Sequence, residues 1–410
     1  MRLDQVINLE DVRILARKNL PLIAFDFIDG GVDGEVALER NRAAFDRYKL
    51  LPRYLVDVEK RHQKVTLFGH EYASPFGISP MGIAGFFRPG ADLMLARAAA
   101  SFDLPYMMSS ASCDSIEAAM AQAPKTTWFQ IYGTRDPKIT LDLVRRAKEL
   151  GVRVLMMTVD TPVMGKRERN IRNGFRRPMK MTPAVIMQGL SRPGWTYRYL
   201  TAGGIPMMEN WRPYATAGAK AGDVADLYGT QTPAPEQTWS IFEQVRKAWD
   251  GPLVVKGVMH PADALKALSL GANGIMVSNH GGRQLDSAPG SLDMLPAIAD
   301  AVAGRAEIIV DSGFRRGSDI AKALCLGAKA CFFGRPAMFG VAAAGEAGAA
   351  RVLDIMRQEL SLAMGQLGWT DVGCAGDASL VDLLEPRPGG RALAASSETD
   401  STPFRKAGRQ

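Results

Sequence analysis

"LVVKG" (253–257), "GIMVSN" (274–279), "EIIVDSG" (307–313) and "ACFFGR" (330–335) are four short apolar runs, each ending in polar or glycine-containing sequence. Their apolar residues are consecutive, not alternate, which is the pattern of a strand covered on both faces. Working outward toward the N-terminus, "PFGISP" (75–80), "YMMSS" (106–110), "TWFQIY" (127–132) and "VLMMTVD" (154–160) repeat the pattern. Between the runs lie helical stretches such as "DPKITLDLVRRAKELG", "HPADALKALSLGA" and "GSDIAKALCLGA"; the last two close on Gly-Ala, where a helix would stop. Eight strand–helix repeats predict an α/β fold, a (β/α)8 TIM barrel in preference to an open sheet.

The rest of the chain is read around that barrel. The first seventy or so residues form a helical lead-in that caps it. Residues 161 to 252, between the fourth and fifth runs, are far too long for an ordinary loop and predict an insertion with its own role. Residues 1–386 read as one domain, and 387–410, "RPGGRALAASSETDSTPFRKAGRQ" from Arg387 onward, as a disordered tail.

Composition narrows the function classes. The net charge of +7 is scattered, with no lysine-rich tail and no nucleic-acid module, so no nucleic-acid partner is expected. "MRLDQVINLEDVRILARKNL" mixes charge with apolar residues, unlike a signal peptide, and no run reaches the ~20 apolar residues of a membrane span. Cys113, Cys325, Cys331 and Cys374 have no CxxC or metal-ligand spacing, which predicts reduced thiols, a cytoplasmic protein and no metal.

A barrel of this kind holds its site at the C-terminal ends of its strands. Those ends read Pro80-Met81-Gly82, Ser109-Ser110, Gln130 with Tyr132, Thr158 with Asp160, Lys256, Ser278 with His280, Asp311-Ser312-Gly313, and Gly334-Arg335. Any one of these groups could merely cap a helix. Together they put polar chemistry around one mouth. Glycines and arginines at the seventh and eighth ends, "DSGFRRGSD" and "GR", point to a phosphorylated ligand, held by backbone N–H groups, a helix N-terminus, Arg315 and Arg335.

The chain resembles the FMN-dependent α-hydroxy acid oxidase and dehydrogenase family, which includes glycolate oxidase, bacterial L-lactate dehydrogenase and mandelate dehydrogenase. The resemblance runs from "LPLIAFDFIDGG" through "ALERNRAAFDRYKLLPR", "WFQIY", "TVDTPVMGKRERNIRNGF" and "VVKGV" to "SNHGGRQLD" and "DSGFRRGSDIAKALCLGA". It implies FMN as cofactor and oxidation of a 2-hydroxy acid to the 2-oxo acid. His280 matches the family's catalytic base, a role suited to an imidazole titrating near neutral pH. Asp160 matches the carboxylate that stabilises the imidazolium. Arg283 matches the guanidinium that grips the substrate carboxylate, with Arg167 and Tyr132 as further substrate contacts. Lys256 matches the cation beside the flavin N1–C2 edge, where positive charge favours the reduced ring. Ser109, Gln130, Thr158 and Ser278 match further contacts to the ring, with the backbone of Pro80, Met81 and Gly82 beside it. Asp311 matches the ribityl contact. The run Ser312-Gly313-Phe314-Arg315, with Gly334 and Arg335, matches the phosphate cradle.

One position departs from the pattern. The family usually reads "YDYY" where this chain has "FDFI", so Phe27 lacks the phenol hydroxyl that helps bind the carboxylate. A more apolar pocket predicts an aryl or long-chain 2-hydroxy acid over glycolate. The insertion is a second clue. Its 179–212 stretch mixes Trp195, Tyr197, Tyr199 and Trp211 with arginines and lysine, and looks like the segment of the membrane-associated mandelate and lactate dehydrogenases. Aromatics with cations suit a membrane interface; a lid over the barrel or an oligomer contact would use the same residues. The expectation is a dehydrogenase, peripheral on the cytoplasmic face of the inner membrane, that passes electrons to a quinone. Gly82 agrees, because oxidases of the family often carry Ala there. The resemblance also implies a homo-oligomer, a tetramer. A soluble oxidase using O2, a flavin-dependent isomerase and a non-catalytic binding protein are the competing readings.

Overall fold

The computed structural model describes residues 2–175, 180–376 and 379–383. The expected tail at 387–410 lies outside the described residues, as do Arg176, Arg177 and Met179 of the insertion.

Eight parallel strands close into a barrel: β1 (Phe76–Ile78), β2 (Tyr106–Ser109), β3 (Thr127–Tyr132), β4 (Leu155–Thr158), β5 (Leu253–Val258), β6 (Gly274–Val277), β7 (Glu307–Val310) and β8 (Ala330–Phe333). The last pairs with the first, Cys331 with Phe76 and Phe333 with Ile78, so the barrel itself has no open edge. Seven of the eight strands fall within the runs read from sequence, and β5 extends one residue past its run, to Val258.

The closed barrel explains why the runs are apolar throughout. Side chains alternate across a strand, so one set fills the barrel and the next packs under the helices. Met108, Phe129, Ile131, Leu155, Met157, Val255 and Ile275 belong to the outer core. Met107, Trp128, Met156, Val254, Met276, Ile309 and Phe332 belong to the inner one. The inner set also decides where the chemistry sits. Two residues after six of these seven apolar side chains comes a polar one on the same face: Ser109 after Met107, Gln130 after Trp128, Thr158 after Met156, Lys256 after Val254, Ser278 after Met276, and Asp311 after Ile309, while Gly334 follows Phe332. The barrel is therefore apolar below and polar above.

The lower end is plugged. A hairpin of Val65–Leu67 and His70–Tyr72 packs Val65, Leu67 and Tyr72 into the inner core, where Trp128 Nε1 donates to the Tyr72 hydroxyl at 2.8 Å. The upper end faces the helices Leu22–Asp29 and Glu168–Arg172, which are in contact. The lead-in thus contributes at both ends of the barrel, beyond the helical cap expected.

The insertion holds the helices Glu168–Arg172, Pro183–Leu190, Pro193–Thr201 and Ala221–Gln231. The next helix, Trp239–Ala248, buries Ile241, Phe242 and Val245 beside Pro137–Glu149 and is the ordinary barrel helix before β5. The aromatic residues of the insertion do not share one face. Trp195 is buried, stacks on Tyr199 at 4.8 Å and donates to Phe86 O at 3.0 Å. Trp211 is buried and donates to Ser110 O at 2.9 Å. Only Tyr197 of the four turns outward, at 70% exposure, so a surface built from all four aromatics is corrected here. Indole N–H groups need partners, and the nearest ones were backbone carbonyls of the barrel loops. Among the described residues no helix is long and apolar enough to cross a membrane.

Candidate active site

The loop after β6 carries the centre of the site. His280, Gly281 and Gly282 all adopt positive φ, at 58°, 67° and 70°. Glycine is required at 282, where a Cβ would lie 2.6 Å from the Leu38 backbone nitrogen. Asn279 pins the turn: its Oδ1 accepts from Gly282 N at 3.1 Å, and its amide exchanges hydrogen bonds with Asn41 at 2.8 and 2.9 Å. Those residues aim His280 Nδ1 at Asp160 Oδ1, 2.8 Å away across the barrel mouth. Gln284 Nε2 braces the other side, donating to the carbonyls of Asp160 and Val163 at 3.0 Å each.

The electrostatics assign the proton. Burial pushes His280 below its usual pKa, outweighing the pull of Asp160 in the other direction. Burial also raises Asp160, but His280 and Lys256 outweigh it and hold the carboxyl below the usual range. An ionised Asp160 beside a neutral imidazole places the proton on Nδ1. Nε2 is then left with a free lone pair at the wall of the cavity, able to accept a proton.

Two buried hydrogen-bonded groups line the strand ends. Ser109 Oγ donates to Gln130 Oε1 at 2.9 Å, and Gln130 Nε2 donates to Thr158 Oγ1 at 2.9 Å. Lys256 Nζ donates to Ser278 Oγ at 2.7 Å and lies 3.4 Å from Asp311 Oδ2. Ser79 Oγ donates to the same carboxylate oxygen at 3.2 Å, and Ser312 Oγ donates to Oδ1 at 2.8 Å.

A cavity of about 920 Å3 opens over these groups. Of the residues expected at the site, Phe27, Pro80, Met81, Gly82, Tyr132, Thr158, Arg167, Lys256, His280, Arg283, Asp311, Ser312, Gly313, Phe314, Arg315, Gly334 and Arg335 line it. Asp160, Ser109, Gln130 and Ser278 do not. They lie one layer beneath, hydrogen-bonded to His280, Thr158 and Lys256. Ser109, Gln130 and Ser278, expected as contacts to the ring, are thus each hydrogen-bonded to a neighbour at the floor of the cavity.

The arginines divide the cavity. Arg283 Nη1 donates to the carbonyls of Phe27 and Gly30 at 2.7 and 3.0 Å, leaving its Nε and Nη2 edge for a ligand. Burial, then Arg167 and Arg335, pushes its pKa well down, so an anion there would be strongly favoured. Burial and Arg335 likewise pull Arg315 down to about 9, and burial brings Arg335 to about 10. Arg335 already spends Nε, Nη1 and Nη2 on the carbonyls of Ile28, Gly281 and Gly30, at 2.9, 2.8 and 2.8 Å. It can offer an anion only the second N–H on each Nη.

The two helix N-termini near the phosphate end also differ. At Gly317–Cys325 the Asp319 carboxylate accepts the N–H groups of Arg315 and Arg316, and Glu359 accepts that of Gly317. That end is satisfied internally. At Arg335–Ala344, Gly334 and Arg335 face the cavity, so this helix presents its positive end to an anion.

Reading strand ends misses part of the wall. Phe27 packs on Phe175 at 4.7 Å and on Phe87 at 5.8 Å, with the Arg283 guanidinium 5.0 Å over its ring. Tyr228 also lines the cavity, from the helix Ala221–Gln231. Neither Phe175 nor Tyr228 stands at a strand end; Phe175 closes the stretch "TVDTPVMGKRERNIRNGF", and no local signal marks Tyr228.

The fit to FMN rests on this donor set. A buried lysine, a polar edge and, further along, buried arginines with an open helix N-terminus suit a flat polar-edged ring ending in a phosphate. Comparison with known proteins agrees. Residues 16–382 match the family of FMN-dependent dehydrogenases. The chain is 37% identical to an L-lactate dehydrogenase of Caulobacter vibrioides, over 92% of this chain and 98% of the relative. It is 39% identical to a 4-hydroxymandelate oxidase of Amycolatopsis orientalis, over 90% and 96%. In structure it superposes on a monotopic membrane protein, (S)-mandelate dehydrogenase, with a TM-score of 0.88 and 34% identity, covering 92% of this chain and all of the other. The chain therefore belongs to the FMN-dependent dehydrogenases, as an oxidoreductase that acts on the CH–OH group of α-hydroxy acids and uses FMN as its cofactor.

Proposed function

We propose that the chain oxidises an aryl or long-chain L-2-hydroxy acid to the 2-oxo acid, with His280 as the base. The observation that carries this reading is the 2.8 Å contact of His280 Nδ1 with Asp160, which leaves Nε2 at the wall of the cavity that Arg283 and Lys256 share. FMN, when bound, supplies the two-electron acceptor. The chain's own groups do the rest. Arg283 takes the substrate carboxylate on its free edge, helped by Arg167 and Tyr132, and turns the α-carbon toward His280. His280 Nε2 takes the proton, and Asp160 stabilises the imidazolium so formed. Lys256 lies where the ring's polar edge would rest, with Ser278 and Asp311 holding its ammonium. Asp311 and Ser312 would hold the ribityl chain of FMN, and Gly313, Arg315, Gly334 and Arg335 its phosphate. The Phe27–Phe87–Phe175 group supports an apolar substituent on the acid.

Electrons leave to a membrane quinone in this reading, with the protein peripheral on the cytoplasmic face. Met181, Met187, Leu190 and Leu200 are 60–65% exposed on or beside two insertion helices, near Lys180, Arg192 and Arg198. Such a surface gains by entering a headgroup region. The exposed Tyr54 and Leu55 offer apolar surface for a homo-tetramer. A soluble oxidase is the second reading, favoured by the 39% identity to the hydroxymandelate oxidase.

An anaerobic screen of 2-hydroxy acids, followed by bleaching of the flavin, tests the substrate class. Mandelate or a long-chain acid should reduce the flavin fastest; reduction by none of them would end this reading. Reoxidation of the reduced protein by air and by a quinone analogue, in stopped flow, separates the two acceptors.

A further inference from the structure

We propose that Arg169 is a positioning residue for both ends of the cavity, acting through the carbonyl of Gly30. Arg169 stands in the helix Glu168–Arg172, two residues beyond Arg167. Its Nη1 donates to Asp29 Oδ2 at 2.9 Å and lies 3.7 Å from Asp26 Oδ1, while its Nη2 donates to Glu35 Oε2. Each of these acids is tied to the same turn. Arg13 holds Asp29 from the other side, Nε to Oδ1 at 2.6 Å and Nη2 to Oδ2 at 3.0 Å. Glu35 Oε1 accepts the Gly31 N–H at 2.9 Å, and the Asp26 carbonyl accepts the Gly30 N–H at 2.9 Å.

The clasped turn carries the acceptors that aim two arginines. Phe27 O and Gly30 O accept from Arg283, while Ile28 O and Gly30 O accept from Arg335. The Gly30 oxygen is shared, at 3.0 Å from Arg283 Nη1 and 2.8 Å from Arg335 Nη2. Two guanidiniums on one carbonyl repel each other, so they stay in place only while that carbonyl does. The residues fixing it lie outside the cavity wall, on the insertion and the N-terminal lead-in. Loosening the clasp therefore weakens substrate and cofactor binding together, whereas loss of either arginine alone weakens chiefly its own ligand. The inference rests on the reading that Arg283 holds the substrate carboxylate and Arg335 the phosphate end of FMN.

The test uses the holoenzyme and two binding constants. Phenylacetate, which has the carboxylate and ring but no hydroxyl to oxidise, reports the substrate end through perturbation of the flavin spectrum. Flavin fluorescence on dilution reports FMN release. Arg169→Met and Glu35→Ala should each raise both dissociation constants about tenfold, the scale of one charge-assisted hydrogen bond partly lost. Glu35→Ala is decisive because it removes a negative charge. If these groups act only by long-range electrostatics, it must tighten phenylacetate while Arg169→Met weakens it, and that opposite pair of signs overturns the proposal. Unchanged constants in either variant overturn it as well. Should Arg169→Met fail to fold, Arg169→Lys keeps the charge but cannot span Asp29 and Glu35. It should still raise both constants, and normal values in a variant of normal melting temperature refute the clasp. Arg283→Lys is the control: if it leaves phenylacetate binding unchanged, the assignment of the substrate end is wrong, whatever Arg169 does.

Discussion

The barrel mouth and the insertion bury opposite things. At the mouth, charged and polar side chains are withdrawn from water and nearly all are paired: Lys256 with Ser278 and Asp311, His280 with Asp160, Gln130 with Ser109 and Thr158. On the insertion, Met187, Leu190, Tyr197 and Leu200 stand 61–70% exposed, although Trp195 and Trp211 of the same insertion are buried. The first arrangement costs desolvation and is kept because pre-aimed charge does chemistry. The second leaves apolar area in water, at about 25 cal/mol per Å2, and is kept only if something else covers it. The contrast separates residues that should change rate from residues that should change location.

The sharpest way to break it is at the mouth. His280→Gln should keep FMN and lower the rate of flavin reduction by about 10^3- to 10^4-fold, because a positioned base is lost. Rapid-reaction spectroscopy under anaerobic conditions measures it, and a near-normal rate would refute the assigned chemistry. Asp160→Asn should fall next, by about 10^2-fold or more, since the imidazolium loses its partner.

The pH dependence sharpens the same comparison. His280 is held below its usual value of 6.5, so the base is free above that pH and is protonated only below it. The rate of flavin reduction should stay flat above 6.5 and fall on an acid limb lying lower. Stability moves in the same direction. The unfolded chain takes up a proton near 6.5 that the buried imidazole resists, so this contribution is present above 6.5 and fades as pH falls through the window beneath. Asp160 raises the His280 pKa, so Asp160→Asn should move the limb further down.

On the insertion, Met187→Gln, Leu190→Gln and Leu200→Gln together should release the protein from anionic vesicles in a flotation assay. Flavin reduction by a soluble hydroxy acid should stay within about twofold, as expected of surface changes away from the site. Loss of rate without loss of binding would mean that these helices form a lid. The smallest effect concerns Phe27. Restoring the hydroxyl with Phe27→Tyr should improve lactate relative to mandelate by about tenfold or less, the worth of one hydrogen bond to a carboxylate offset by crowding against Phe175. Competition between the two acids measures that ratio.

Much of this was legible in the sequence because it is local and periodic. Eight apolar runs marked eight strands, and the polar residues at the ends of those runs marked the mouth, since a strand repeats its faces every second residue. "SNHGGRQLD" and "DSGFRRGSD" carried the family resemblance, and eight of the twenty-one expected site residues, in a few consecutive positions. The tertiary structure alone decided the rest. Groups whose positions follow from no strand arrived from elsewhere in the chain: the side chains of Phe175 and Tyr228 from the insertion, and the backbone carbonyls of Phe27, Ile28 and Gly30 from the lead-in. It also decided that Ser109, Gln130 and Ser278 lie beneath the cavity wall, that Asp319 closes one helix N-terminus while the other stays open, and that Trp195 and Trp211 turn inward. Each of these outcomes depends on which partner is nearest in space, and sequence separation sets no such distance once the chain has closed into a barrel.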